Sequence, residues 1–470
     1  MSELLLDPDR LFPADPVTRD LARGLYEGVK NLPIVSPHGH TDPSWYAENN
    51  CFRDATSLLL VPDHYLFRML YSQGVPMESL GVPRVDGGWV ETDMRKIWRV
   101  LAANYNLFRG TPSSIWMDHV FYEVFGLTEP FSTDTADAFY DEITAKLQTD
   151  AYRPRSLLDR FNIEVIATTE GAVDELRHHR SIAGTEWAKR VITTLRPDDA
   201  VDPEREDFID NVSTLGEITG EDTAQWSGYL EALRKRRKIY REFGATATDH
   251  GHPTAATADL GRAECEALFA RCLSGKVLPE EAELFRAQML TEMAGMSLED
   301  GMVMQIHAGA RRNINEKVFR QFGRDKGADV PSATNFTDGL HALLNKYGNE
   351  PSLSIILFTL DETTYARELA PLAGHYPCLK LGPPWWFHDS PEGMIRFRLQ
   401  VTETAGFYNT VGFNDDTRAF LSIPARHDVA RRMDCRFLAT LVAEGRLRRA
   451  EAESLSQDLA YHLAKQGYKL

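Results

Sequence analysis

Nowhere along this 470-residue chain do about 18 apolar side chains follow one another, so no helical membrane span is expected. Cysteine is scarce. Cys51, Cys265, Cys272, Cys378 and Cys435 are five, an odd number, with neither metal-ligand nor disulfide spacing. They read as buried structural thiols in a reducing, cytoplasmic compartment. Basic charge is in deficit, with 52 Lys and Arg against 69 Asp and Glu, a formal net charge of −17. That balance argues against a nucleic-acid partner, because phosphate contacts need a basic face. There is no low-complexity tract and no repeat at solenoid period. The opening stretch from Met1 to Phe12 carries Glu3, Asp7 and Asp9 and lacks the basic flank of a signal peptide. The one basic run, Arg234-Lys235-Arg236-Arg237-Lys238, reads as the solvated face of a helix.

Hydrophobic residues make up 43% of the chain, enough for a large core. Eight short apolar runs stand out: the segment Leu32 to His40, then Glu164–Thr169, Val191–Leu195, Gly244–Thr248, Met302–His307, Leu353–Leu360, Cys378–Leu381 and Asn409–Phe413. Most are β-branched or continuously apolar, as parallel strands buried on both faces are. Helical patterns separate them, notably Asp222–Phe243, Pro279–Met296, Phe336–Tyr347 and Pro391–Ala405. The alternation predicts an α/β fold, a distorted (β/α)8 TIM barrel occupying 1–470 as one domain. An open doubly wound sheet is the structural rival. Residues 44–154, with helical patterns at His64–Gln73, Asp93–Phe108, Ser113–Phe125 and Thr135–Leu147, read as a helical insertion after the first strand, above the barrel mouth.

Polar residues follow each run. His38 and His40 flank Gly39, and residues two apart on an extended segment share a face. Asp416 follows the eighth run, beside the first in a closed barrel. Two imidazoles and a carboxylate suit one divalent ion with positions left open. The fourth run offers no lysine, which disfavours a carbamate bridging two ions. His307 reads equally as a fourth ligand or as a contact to substrate. Asp249 ends the fourth run as an acid, base or hydroxyl anchor. Arg196, Arg312 and Arg418 each sit beyond a run, where a bidentate grip on a carboxylate is feasible in an otherwise acidic protein. Trp385 and Trp386 offer an apolar wall against a sugar face. Asp63-His64-Tyr65 opens a helix of the insertion and brings Tyr65 down as an acid/base group.

These segments in order resemble the uronate isomerases, a branch of the amidohydrolase superfamily. The resemblance runs through His38-Gly39-His40, Asp63-His64-Tyr65, Arg196-Pro197-Asp198, Asp249-His250, Gln305-Ile306-His307 with Arg312-Asn313, Trp385-Trp386-Phe387 and Asp415-Asp416-Thr417-Arg418 with Arg426-His427. It implies an aldose–ketose isomerase on a TIM barrel, converting D-glucuronate to D-fructuronate and D-galacturonate to D-tagaturonate by proton transfer between C2 and C1. The metal is one divalent ion, commonly zinc, with His38, His40 and Asp416 as its ligands. The catalytic set is Tyr65, Asp416, Arg418 and Asp249, with Tyr65 polarised by Arg418. His64, Arg196, His307, Arg312, Trp385 and Trp386 form the substrate shell. The partner is then a small uronic acid, and a homo-oligomer is left open. Ser36 stands where an acidic residue is common, and Pro383-Pro384 replace small residues, leaving open which tryptophan faces the sugar. The alternative is a metal-dependent hydrolase on the same barrel, acting on a sugar-acid lactone or amide.

Overall fold

The structure, a computed structural model, describes residues 6–470; Glu3 lies outside them. Seven strands form one parallel sheet in sequence order: β1 (Ile34–Ser36), β2 (Ile163–Gly171), β3 (Val191–Arg196), β4 (Ala247–His250), β5 (Val303–Ala308), β6 (Ile355–Thr359) and β7 (Leu379–Leu381). Their residues are buried on both faces, which is why the runs are continuously apolar. Helices such as Trp226–Glu242, Pro279–Asp300 and Pro391–Ala405 connect and cover them. A core of Leu195, Tyr229, Leu233, Met293, Ile306 and Leu357 lies between sheet and helices. Each such side chain contributes roughly 1.5–3 kcal/mol on full burial.

The eighth run departs from expectation. Asn409–Phe413 makes one isolated parallel bridge, Thr410 with Leu381, rather than a strand. Gly412 is the physical reason: its φ of +71° turns the chain out of extended geometry, and a Cβ there would meet the Leu459 carbonyl at 2.9 Å. Farther along, the His40 N–H donates to the Thr417 carbonyl at 3.0 Å, tying the segment after β1 to the segment after this run.

The basic run is a second departure. Arg236 and Arg237 are each only 1% exposed. Arg236 donates to the carbonyls of Ala172 and Asp174. Arg237 forks onto Asp300 and also reaches Ser297. Planar guanidinium donors meet several acceptors at once and so survive burial that a lysine would not. Charge patterning alone cannot distinguish this from solvation.

Between β1 and β2 the chain is helical, with Pro43–Glu48, Ala55–Leu59, His64–Ser72, Met94–Ala103, Pro112–His119, Ala136–Leu147 and Pro154–Arg160. Their apolar faces meet at Phe67, Leu70, Ile97, Trp98, Leu101, Phe121 and Ile143, a cluster that also takes in Ile34 of β1 and Ile163 of β2. Trp98 Nε1 donates to the Ala136 carbonyl at 2.9 Å, satisfying its polar atom inside that cluster. Among the described residues no helix is long and apolar enough to cross a membrane.

Candidate active site

The site begins where the strands end. Beyond β1, Pro37 breaks the pairing and the next residues leave the sheet. His38 is 1% exposed and His40 24% exposed. Gly39 between them packs flat: a Cβ there would touch the carbonyls of Ala167 and Thr417 at 3.5 Å. The two imidazoles meet edge to face, 5.2 Å between centroids. Opposite them stands Asp416, whose φ of +38° is a left-handed backbone that a non-glycine residue adopts at a cost of about 1–3 kcal/mol. Its carboxylate lies 3.1 Å from His40 Nε2, 3.6 Å from His38 Nε2 and 3.9 Å from His307 Nε2.

His307, at the end of β5, is oriented by its other nitrogen. Nδ1 lies 2.6 Å from Asp249 Oδ1, and Phe358 stacks on the ring at 4.1 Å. A proton donated from Nδ1 leaves the Nε2 lone pair facing the cavity, the arrangement by which carboxylates orient metal-binding imidazoles. That Nε2 is buried and has no hydrogen-bond partner. His38, His307 and Asp416 bring one ligand atom each within 4.8 Å of the others. The electrostatics match a cation site. Burial pulls the His38 imidazole down to about 4, so it is neutral and a competent ligand at neutral pH. Burial opposes ionisation of Asp416, but His38, His40 and His307 hold its carboxyl well below the usual carboxylate range. The residues present fit a divalent ion.

Around this group lies a cavity of about 630 Å³, a normal size for a small-molecule site. It is lined by His38, His40, His64, Tyr65, Arg196, Asp249, His307, Arg312, Trp385, Trp386, Asp416 and Arg418 together. Arg196 ends β3 and lies 2.8 Å from Asp198 Oδ2 and 3.2 Å from Asp249 Oδ2. Burial opposes ionisation of Asp249, and Arg196, His307 and His38 more than reverse it, so its carboxyl is held far below the usual range. Arg312 sits over Trp385 at 5.7 Å and 3.4 Å from Asp329. Trp385 stands edge-on to His307 at 4.8 Å, whereas Trp386 packs against His64 and Tyr65 at 4.2 and 4.3 Å.

A family model described as glucuronate isomerase matches residues 16–468. The chain belongs to the glucuronate isomerase family. It is 63% identical over 467 residues to a uronate isomerase of Phenylobacterium zucineum (strain HLK1), covering 99% of this chain and 97% of that one. A crystal structure of glucuronate isomerase from Caulobacter crescentus superposes with a TM-score of 0.97 at 62% identity, covering 99% and 98% of the two chains. A uronate isomerase structure from Thermotoga maritima, at 28% identity, gives 0.92 with 99% and 100% covered.

One expected contact within this family site is different in the structure. The guanidinium against the Tyr65 ring is that of Arg426, at 5.2 Å, rather than Arg418. Arg418 instead pairs with Asp325, 2.9 Å away. Arg426 also stacks on Trp116 at 3.5 Å and pairs with the buried Asp389. Tyr65 itself is placed by a cap: Asp63 Oδ1 accepts the Tyr65 N–H at 2.8 Å, starting the helix that carries it. Its hydroxyl donates to the Trp386 carbonyl at 3.3 Å, and burial pushes the phenol far above its ordinary range.

Several supporting residues carry no functional signal in the sequence. Tyr468, fully buried near the end of the chain, donates to Gln305 Oε1 at 2.9 Å and accepts from Asn414 at 2.9 Å. Gln305 Nε2 lies 3.4 Å from His38 Nδ1, so the terminal tyrosine supports the first imidazole through one amide. Asp325 lies in an irregular polar stretch with no periodicity to mark it. His252, two residues beyond β4, is buried and lines the same cavity.

Proposed function

We infer that this chain is a uronate isomerase, interconverting D-glucuronate with D-fructuronate and D-galacturonate with D-tagaturonate. The observation that carries the reading is the full-length match to relatives named as isomerases, in a chain whose cavity gathers buried metal-competent ligands and six arginines. We further read the fold as a distorted (β/α)8 barrel forming a single domain, with 44–154 as a helical cap over its mouth, acting in the cytoplasm. In this reading His38, His40 and Asp416 hold one divalent ion, zinc, with His307 Nε2 facing the same point. That ion, when bound, supplies positive charge against oxyanions on the sugar.

The chain's own residues do the rest. Arg196, Arg312 and Arg418 hold the C6 carboxylate, and His64, Trp385 and Trp386 shape the space around the sugar. Asp416, ionised, handles the hydroxyl proton that must move when the ring opens. Tyr65 moves the proton between C2 and C1 through the enediolate, with the Arg426 cation against its ring opposing the effect of burial. Asp249, ionised between Arg196 and His307, is the second group able to handle a proton here. Trp386 packing on Tyr65 and His64 makes it the wall that positions the proton carrier, while Trp385 flanks His307.

The test is conversion. Purified protein given either uronate forms the 2-ketose, loses activity on chelation and recovers it with about one equivalent of zinc. An aldose that persists, beside hydrolysis of a sugar-acid lactone, would turn the reading to the hydrolase.

A further inference from the structure

Six arginines line the cavity; three of them, Arg196, Arg312 and Arg418, are assigned above to the substrate carboxylate, and in a protein of net charge −17 their neutralisation matters. Arg196 is matched by Asp198, which opens the short helix Asp198–Val201 after β3, and by the buried Asp249 of β4. Arg418 is matched differently. Its Nη2 lies 2.9 Å from Asp325 Oδ2, and the two side chains are 34% and 46% exposed, so this pair faces open space. Asp325 belongs to the excursion 312–329 between two short antiparallel strands, Ala310–Arg311 and Val330–Pro331. Partial desolvation at the cavity wall opposes its ionisation, but the pair with Arg418, with Arg196 and Arg312 adding to it, holds its carboxyl below the usual carboxylate range. Two of the three arginines assigned above to the substrate carboxylate are thus met by carboxylates of this one excursion, Arg418 by Asp325 at 2.9 Å and Arg312 by Asp329 at 3.4 Å.

We propose that Asp325 occupies the substrate-carboxylate position of this arginine cluster in the free enzyme, and that the incoming uronate carboxylate displaces it. The inference rests on the isomerase reading and deepens it. An acid sugar exchanges one ion pair for another, so its entry is nearly balanced. A neutral aldose offers no anion, leaves Arg418 paired to Asp325 and finds the position blocked. Asp325 thus acts as a competing counter-ion, which the carboxylate of an acid sugar must displace and which weakens acid-sugar binding by the strength of its own pair with Arg418. The excursion is anchored near it, since the Arg68 Nε, on the helix that carries Tyr65, donates to the Gly327 carbonyl at 3.2 Å. Displacement of Asp325 needs only a side-chain rotation or a small shift of that segment.

Asp325→Asn is the clean perturbation. The position has φ of +59°, a left-handed backbone that asparagine adopts as readily as aspartate. The substitution removes the competing charge without changing shape. Partly exposed ion pairs are worth up to about 1 kcal/mol, so the effect is about fivefold. The KM for D-glucuronate, and the inhibition constant of D-gluconate, which has the carboxylate but no aldehyde, should each fall about fivefold. Binding of the neutral D-glucitol, measured by calorimetry, should not improve beyond twofold. Unchanged or weakened binding of D-gluconate in the variant would overturn the proposal, as would an equal gain for D-glucitol. A wild-type protein that does not isomerise either uronate would defeat the isomerase reading instead, and the gluconate comparison by calorimetry would still read Asp325 independently.

Discussion

Replacing Tyr65 with Phe separates chemistry from packing. The ring makes its contacts through its edge and face: Trp386 at 4.3 Å, Trp116 at 5.5 Å and the Arg426 guanidinium at 5.2 Å. Phe retains all of them. What leaves is one hydroxyl, donating to the Trp386 carbonyl at a long 3.3 Å. A hydrogen bond of that kind contributes about 0.5–1 kcal/mol net, so stability should change by that much or less. In a chain of this size the thermal midpoint then moves by about 2 °C or less. Metal content stays as in the wild type, because Tyr65 is outside the His38, His307 and Asp416 group. Turnover behaves differently if the phenol carries the proton. Loss of a general acid/base group costs about 10²–10⁴-fold, which at 1.36 kcal/mol per decade is roughly 2.7 kcal/mol or more of barrier. Steady-state kinetics on both uronates, beside a melting curve and metal analysis, should show kcat down about a hundredfold or more with KM within about threefold. A kcat within threefold of wild type would remove Tyr65 from the reaction and move the proton to Asp249.

Three further outcomes follow from the contacts above. Arg312→Met should raise KM for D-glucuronate about 10- to 100-fold with a smaller loss of kcat, since Arg312 has only a long contact to Asp329 to give up and charge-assisted bonds to a carboxylate are worth about 1.5–3 kcal/mol; an unchanged KM would take Arg312 off the carboxylate. Arg237→Met should destabilise the fold by about 2–4 kcal/mol in denaturant titration, because it strands Asp300 without its buried partner, whereas exposed Lys238→Met should cost about 0.5 kcal/mol or less; equal effects would contradict the buried reading. Burial lowers His179 to about 4 and His250 to about 3, against an ordinary 6.5. Below 6.5 the unfolded chain binds these protons and the folded chain does not, so stability should fall as pH drops from about 6.5 to 4, and a flat melting temperature across that window would contradict it.

The strands were legible because parallel strands buried on both faces leave continuous apolar runs, and Val191–Leu195 or Met302–His307 could hardly be anything else. The helix Pro391–Ala405 begins and ends where its pattern does, with Ser390 capping the Gly393 N–H. The eighth run failed as a strand because one glycine, Gly412, turns the chain, and apolar content alone does not report φ. The helix expected over Phe336–Tyr347 divides at Leu340 into Phe336–Gly339 and His341–Tyr347. The site residues beyond strand ends were findable because strand ends share a rim. The contact of Arg426 with Tyr65 and the place of Asp325 were not, as side-chain pairing across the cavity follows from tertiary placement and leaves no periodic trace. Burial of Arg236 and Arg237 was hidden for the same reason, since their acceptors are carbonyls and a carboxylate far away in sequence.

Proton NMR of metal-analysed protein with D-glucuronate in heavy water tests the central claim most directly. The account predicts growth of 2-ketouronate resonances at the expense of the aldose, with any deuterium at C1 measuring exchange of the carried proton with solvent. Protein holding about one equivalent of zinc that leaves both D-glucuronate and D-galacturonate unchanged would contradict it.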